Sequence, residues 1–214
     1  MNKSISMYSA LLILLFAPLF LHAQESHVAI LVNTTSSRMN YGHLNSSLAD
    51  YKKDVNGLRI GLSLQTGITR NFSLVTEAYF LRKGGILISG NPLNGVESSL
   101  KLNTLEMPVL ARLHAGRFYF NAGPYINYVM SGKKSTENAP TTDILFESGS
   151  DAFRKWEAGI LGGVGYQFPV KKRRMALEVR YSHGLTSIHS TENLYNRTLS
   201  ISVSLIKPLK RRGQ

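Results

Sequence analysis

The sequence has no cysteine, one tryptophan, and 13 acidic against 25 basic residues in its 214 positions. Without cysteine there is no disulfide framework, no thiolate metal site and no cysteine nucleophile. A lipid anchor on an N-terminal cysteine is excluded as well. Long apolar runs are also missing. No segment beyond the N-terminus approaches the roughly 18 consecutive apolar residues of a membrane-spanning helix. Charged residues make up 18% and hydrophobic residues 43%, too apolar a mixture for a disordered chain. The net charge of +12 is compatible with nucleic-acid binding only if the chain stays where nucleic acid is.

The first residues answer that question. Lys3 precedes the apolar run ALLILLFAPLFL from Ala10 to Leu21, which is shorter than a spanning helix needs. Leu21-His22-Ala23 and the polar Gln24-Glu25-Ser26 follow. This order predicts a secretory signal peptide over 1–23, cleaved after Ala23, with a retained N-terminal anchor as the alternative. An exported protein has no nucleic-acid partner.

The remaining chain alternates with period two. Phe118, Phe120, Ala122, Pro124, Ile126, Tyr128 and Met130 share one face, and Tyr119, Asn121, Gly123, Tyr125 and Asn127 share the other. A strand sends successive side chains to opposite sides, so this is a strand with one apolar and one polar face. The cleanest example is Leu199, Ile201, Val203, Leu205 against Thr198, Ser200, Ser202, Ser204. Eight such segments are predicted, over 27–36, 57–66, 72–82, 101–114, 117–131, 154–169, 174–185 and 196–206. Several have the length of about 9–11 residues that a tilted membrane-crossing strand requires. Links near 67–71, 115–116 and 170–173 are short; those over 37–56, 83–100, 132–153 and 186–195 are long. Short turns at one end and long loops at the other are the rhythm of an up-and-down barrel. The predicted fold is all-β: an eight-stranded antiparallel transmembrane β-barrel over 24–206, followed by a basic tail over 207–214.

In such a barrel the apolar faces meet lipid and the polar faces fill the lumen. The polar faces carry Arg59, Glu77, Glu106, Arg112, Glu157, Glu178 and Arg180. Eight strands leave an interior that side chains fill, and buried charges need partners, so these residues are expected to form a salt-bridged plug. A proton or ion path is the functional alternative. Gly61, Gly123, Gly159, Gly163 and Gly165 point inward and leave room for Arg and Tyr. Phe72, Phe118, Tyr166 and Phe168 at the short-turn end, and Tyr79, Phe80, Tyr128 and Trp156 at the long-loop end, are expected to form two interfacial girdles. Lys171, Lys172, Arg173 and Arg174 in one short turn, with Lys207, Lys210, Arg211 and Arg212 after the last strand, form a basic patch at the end that normally faces the periplasm. Phospholipid head groups, an acidic partner or the cell wall could meet it; a solvated turn and tail is the plainer reading.

Residues 100–132 (LKLNTLEMPVLARLHAGRFYFNAGPYINYVMSG) resemble the centre of the PorT family of outer-membrane β-barrels, above all in Leu105-Glu106-Met107-Pro108 and Ala122-Gly123-Pro124-Tyr125. Residues 159–166 (GILGGVGY) and 177–185 (LEVRYSHGL) are similar to the family's sixth and seventh strands. The resemblance implies an eight-stranded barrel in a Gram-negative outer membrane and, from the founding member, a part in protein secretion across it. It includes no catalytic signature. Here Ile206-Lys207-Pro208-Leu209 and a basic stretch follow the last strand, in place of a terminal aromatic residue.

Other signals are weaker. The glycines of 159–165 precede no helix and lack an acidic residue at dinucleotide-binding distance. His183 and His189 near Ser187, Ser190 and Glu192 suggest a hydrolase triad only loosely. The leading expectation is a non-enzymatic, monomeric membrane barrel with no cofactor or metal. Its partners would be outer-membrane lipid and other envelope proteins, in a structural, secretion- or gliding-associated role. A small barrel enzyme acting on lipid or peptide at the extracellular rim is the alternative, and a soluble ligand-binding barrel is disfavoured by the charges of the polar faces.

Overall fold

The computed structural model describes residues 26–146, 152–170 and 173–208. The predicted signal peptide lies outside the described residues. The strands are β1 (Ser26–Asn40), β2 (Lys52–Gly67), β3 (Phe72–Leu87), β4 (Ser98–Ala115), β5 (Phe118–Thr136), the two-residue β6 (Thr142–Asp143), β7 (Trp156–Val170), β8 (Arg173–Gly184) and β9 (Tyr195–Pro208). Every pairing is antiparallel, β1 closes against β9, and β4 pairs with β5, so eight strands form a ring with β6 hairpinned onto β5. Closure removes the unpaired edges that would be costly in lipid. No helix among the described residues is long and apolar enough to cross a membrane; the strands do the crossing.

The wall is polar inside and apolar outside. Ile30, Leu62, Phe80, Leu113, Phe120 and Ile160 are each more than half exposed, while Asn33, Arg59, Glu106, Asn127 and Arg180 are 1% exposed or less. A water-soluble fold would reverse that order. Alternation along each strand produces it, because one face of the sheet is turned to lipid and the other to the barrel axis.

Three sequence-based expectations need correction. The strands run past the predicted limits mostly at the long-loop end, so β3 reaches Leu87 rather than 82 and β5 reaches Thr136 rather than 131. β9 continues through Pro208, with Lys207 opposite Val28 on β1, so Lys207 belongs to the wall rather than to a tail. Tyr79 is not part of a girdle. It shares the parity of Glu77, and its ring is fully buried in the lumen. The other girdle pairs do face outward: Phe118 meets Tyr166 and Tyr128 meets Trp156, each with ring centroids 4.9 Å apart.

Above the lipid-facing belt the long loops fold inward over the barrel mouth. Met39, Leu102, Val129, Ile144, Phe153, Ile188 and Leu194 form one buried apolar cluster there. Backbone bonds tie the β5–β7 connection to the β8–β9 loop: Arg154 N–H donates to Ile188 O at 2.9 Å and Ser190 N–H to Ala152 O at 3.0 Å. Asn91, buried in the β3–β4 loop, donates to Ile88 O and Val96 O and accepts from the N–H groups of Leu93 and Asn94.

Candidate functional site

The lumen is filled by an ionic network in two linked halves. Nearer the short turns, Arg180 of β8 is held by two carboxylates. Its Nη1 and Nη2 donate to Glu77 at 2.5 and 2.9 Å, its Nη2 also to Glu178 at 3.0 Å, and its Nε pairs with Glu178. Tyr79 donates to Glu77 at 2.5 Å and accepts from Arg180 at 2.6 Å. Glu178 also accepts from Tyr119 at 2.8 Å and from the Asn121 amide at 2.6 Å. Arg112 donates to Asn121 and Gln65, both at 2.8 Å, and lies over the Tyr119 ring. Charge-assisted, bidentate contacts of this kind are what make a buried ion tolerable.

Nearer the long loops, Glu106 of β4 pairs with Arg59 at 3.2 Å and with Lys83 at 2.7 Å. Lys83 also stands 3.6 Å from Glu157, which accepts from Tyr125, Asn127 and Asn196 at 2.9–3.0 Å. Arg59 donates to Ser200 at 3.1 Å and stacks over Tyr79, joining the two halves. Glycines opposite these groups have no room for a side chain. A Cβ on Gly165 would overlap the Tyr119 ring, and one on Gly159 the Tyr125 ring.

All seven lumen charges read from the sequence face the barrel axis, and they are brought into this single network. The eighth was missed. Lys83 is fully buried, and among the described residues it makes four cations against four carboxylates, a balanced interior. Its parity with Glu77, Tyr79 and Leu81 was the available signal, hidden because β3 was expected to end at residue 82. The lumen also holds apolar layers that the sequence reading omitted: Val75, Leu110, Tyr125 and Leu161 pack together, as do Ala29, Leu31, Tyr79, Leu81, Tyr119, Ala176 and Ile206.

The basic patch is partly described. Arg173, Arg174 and Lys207 are exposed at the short-turn end, and Arg174 bonds the His27 ring. Lys171, Lys172, Lys210, Arg211 and Arg212 lie outside the described residues. Two cations of this end were overlooked: Arg70 in the β2–β3 turn and Arg117 in the β4–β5 turn, the latter donating to Tyr166 at 3.3 Å. No exposed acidic residue among the described residues lies there. Among the described residues, the acidic side chains outside the lumen gather instead at the long-loop end, at Asp50, Asp54, Glu97, Glu137, Asp143 and Glu192.

The loosely suggested triad is not assembled. Ser187 Oγ donates to the carbonyl oxygens of His189 and Glu192 and accepts from the N–H groups of His189 and Leu194, so it staples a turn. His189 Nδ1 accepts from the Glu192 N–H, and its ring packs edge-on against Phe153. His183 sits on the outer wall. No cluster of three metal-ligating side chains occurs among the described residues. In the mouth loops, burial and the nearby Glu192 carboxylate push the Tyr41 phenol up to about 12.

A closed ring of eight lipid-length strands, apolar outside and ionic inside, is a membrane barrel, and the family comparison agrees. Residues 23–190 match the family model described as "Outer membrane protein beta-barrel domain". The chain belongs to that family. It is an outer-membrane β-barrel of the Gram-negative envelope. No curated protein matches the sequence. Solved structures similar to it include the attachment invasion locus protein Ail of Yersinia pestis, at 12% identity over 86% of this chain and all of that one, TM-score 0.47. Neisserial surface protein A is similar at 10% identity, over 83% of this barrel and 96% of its own chain, TM-score 0.46. The outer membrane protein OprG of Pseudomonas aeruginosa is similar at 10% identity, over 88% and 97%, TM-score 0.45.

Proposed function

We propose that this barrel is a non-enzymatic, non-conducting, monomeric protein of the PorT kind that binds an envelope or secretion-associated partner through its basic periplasmic face. The observation that carries this reading is the segregation of charge. The lumen spends its four cations on its four carboxylates, whereas Arg70, Arg117, Arg173, Arg174 and Lys207 at the short turns face no exposed carboxylate among the described residues. An unbalanced basic surface steers and holds acidic partners. The resemblance of residues 100–132 to PorT proteins supports the secretion-associated setting. A rim enzyme has less support, because Ser187 and His189 are committed to holding a turn.

The test is site-specific photo-crosslinking in intact cells from positions 117 and 173. A discrete protein adduct is expected at both, and it should fall when Lys171, Lys172 and Arg174 are replaced by serine in a barrel that still inserts. No protein adduct, or an adduct indifferent to those charges, would overturn the proposal.

A further inference from the structure

The outer wall carries a feature that neither the plug nor the periplasmic face explains. Between β5, β7 and β8 the lipid-facing positions are small: Ala122, Pro124 and Gly162. They form the floor of an open, largely apolar groove of about 670 Å³, bordered by Ile160, Tyr181 and His183. Ala111 on β4, directly opposite Ala122, continues this small-residue surface, whereas most other outward positions of the belt carry Leu, Ile, Val or Phe, so the stretch is a furrow beside fuller wall.

The furrow leads through His183 to a row of cations, Arg197 and Arg38. His183 stands directly opposite Ile160 on β7 and Arg197 on β9, and Arg197 stands directly opposite Arg38 on β1. Like charges directly opposite each other across a sheet repel. Among the described residues Asp54 is the carboxylate engaged here, paired with Arg38 and accepting a hydrogen bond from Ser36. Lys52 adds a further cation within electrostatic range of Arg38 and Arg197. Arg197 Nε is buried with no hydrogen-bond partner among the described residues. The row lies one step beyond the outward Leu199, at the long-loop edge of the belt, where head groups of the outer leaflet begin.

We propose that groove and row together seat one phosphorylated glycolipid of the outer leaflet, with an acyl chain over Gly162 and Ala122 and a phosphate between Arg197 and Arg38. The phosphate relieves the Arg197–Arg38 repulsion and supplies the acceptor that Arg197 Nε lacks. The small floor residues let the chain lie closer to the sheet than at any larger outward side chain. Because the cations stand at the long-loop edge, a phospholipid of the inner leaflet cannot reach them.

The test is native mass spectrometry of detergent-purified barrel titrated with bis-phosphorylated lipid A. Wild type should retain one molecule per barrel. Arg38→Ala with Arg197→Ala should weaken retention about thirtyfold, from two lost surface cations. Gly162→Leu should also weaken it by filling the groove; a Cβ there meets nothing nearer than the Asn121 carbonyl oxygen at 3.9 Å, so the wall is undisturbed. Arg174→Ser, at the opposite end, should retain lipid as wild type does. Heat-dependent gel migration shows that each variant is a folded barrel. Unchanged retention in either groove or row variant would overturn the proposal. So would phosphatidylglycerol held as tightly as lipid A, or a dimer of barrels, abolished by Gly162→Leu, in place of the lipid complex.

Discussion

The lumen and the cap above it are both closed interiors, but only the lumen threads buried ion pairs between its apolar layers, whereas the cap is an apolar cluster. Within the belt the interior carries Arg59, Lys83, Arg112 and Arg180 against Glu77, Glu106, Glu157 and Glu178, between layers of apolar side chains. Above it the interior is Met39, Leu102, Val129, Ile144, Phe153, Ile188 and Leu194. The surroundings account for the contrast. Lipid takes the apolar side chains of the belt and leaves the polar ones to pair with one another, whereas water above the belt drives apolar side chains together. The two interiors should therefore fail differently. A broken lumen exposes unpaired charge and threatens the whole barrel, but a broken cap frees loops from a ring that stays shut.

The largest effect is expected in the lumen. Arg180→Ala leaves Glu77 and Glu178 buried without their shared cation and should cost about 3–5 kcal/mol, measured by urea unfolding in lipid vesicles with gel migration as readout. The double variant Arg180→Met with Glu77→Gln removes both charges of a pair and should recover part of that loss. Equal loss in the two variants would contradict the pairing account, and Arg180→Met alone, which keeps the volume but strands Glu77 and Glu178, should stay as damaging as Arg180→Ala if charge is what matters.

Next comes the outer wall. Phe120→Arg places a cation in lipid and should cost about 2–4 kcal/mol, whereas Ser202→Ala, buried on the polar face, should cost about 1 kcal/mol. The same urea titration compares them, and an inverted order would show that the faces of β5 and β9 are exchanged. Asn121 is a poor inward comparator, since its amide bridges Arg112 and Glu178.

In the cap, Ile188→Ala should cost about 2–4 kcal/mol of local stability. Trypsin should then cut at Arg154 or Lys155 while the heat-resistant form persists. Loss of heat resistance together with the cap would show that the two interiors are one cooperative unit. The smallest effect is expected at the rim, where Asp54→Asn, breaking a partly exposed pair with Arg38, should change unfolding by less than about 1 kcal/mol.

The ring was legible because alternation is a strong signal where one face is lipid and the other is not. β5 and β9 could be read residue by residue, and parity alone placed seven of the eight lumen charges. Elsewhere parity competes with another rule. Tyr79 carries two conflicting signals: an aromatic residue suits a membrane interface, but parity with Glu77 and Leu81 turns it inward, and parity prevails. Lys83 was lost with the end of β3, since Gly84 and Gly85 read as the start of a loop. The cap was invisible. Ile144, Phe153 and Ile188 come from segments without periodicity, and their meeting depends on how three loops cross above the mouth. The groove over Gly162 and the row from His183 to Arg38 likewise need register between strands distant in sequence.

The neutral, filled lumen is tested most directly by conductance in planar lipid bilayers. An eight-stranded barrel packed with paired side chains has no water path of the kind that larger porins enclose. Purified, heat-modifiable barrel should give no steady current in symmetric salt at either polarity. A large, stable, ion-selective current from the unmodified protein would contradict the plug and make the eight charges a conduction path.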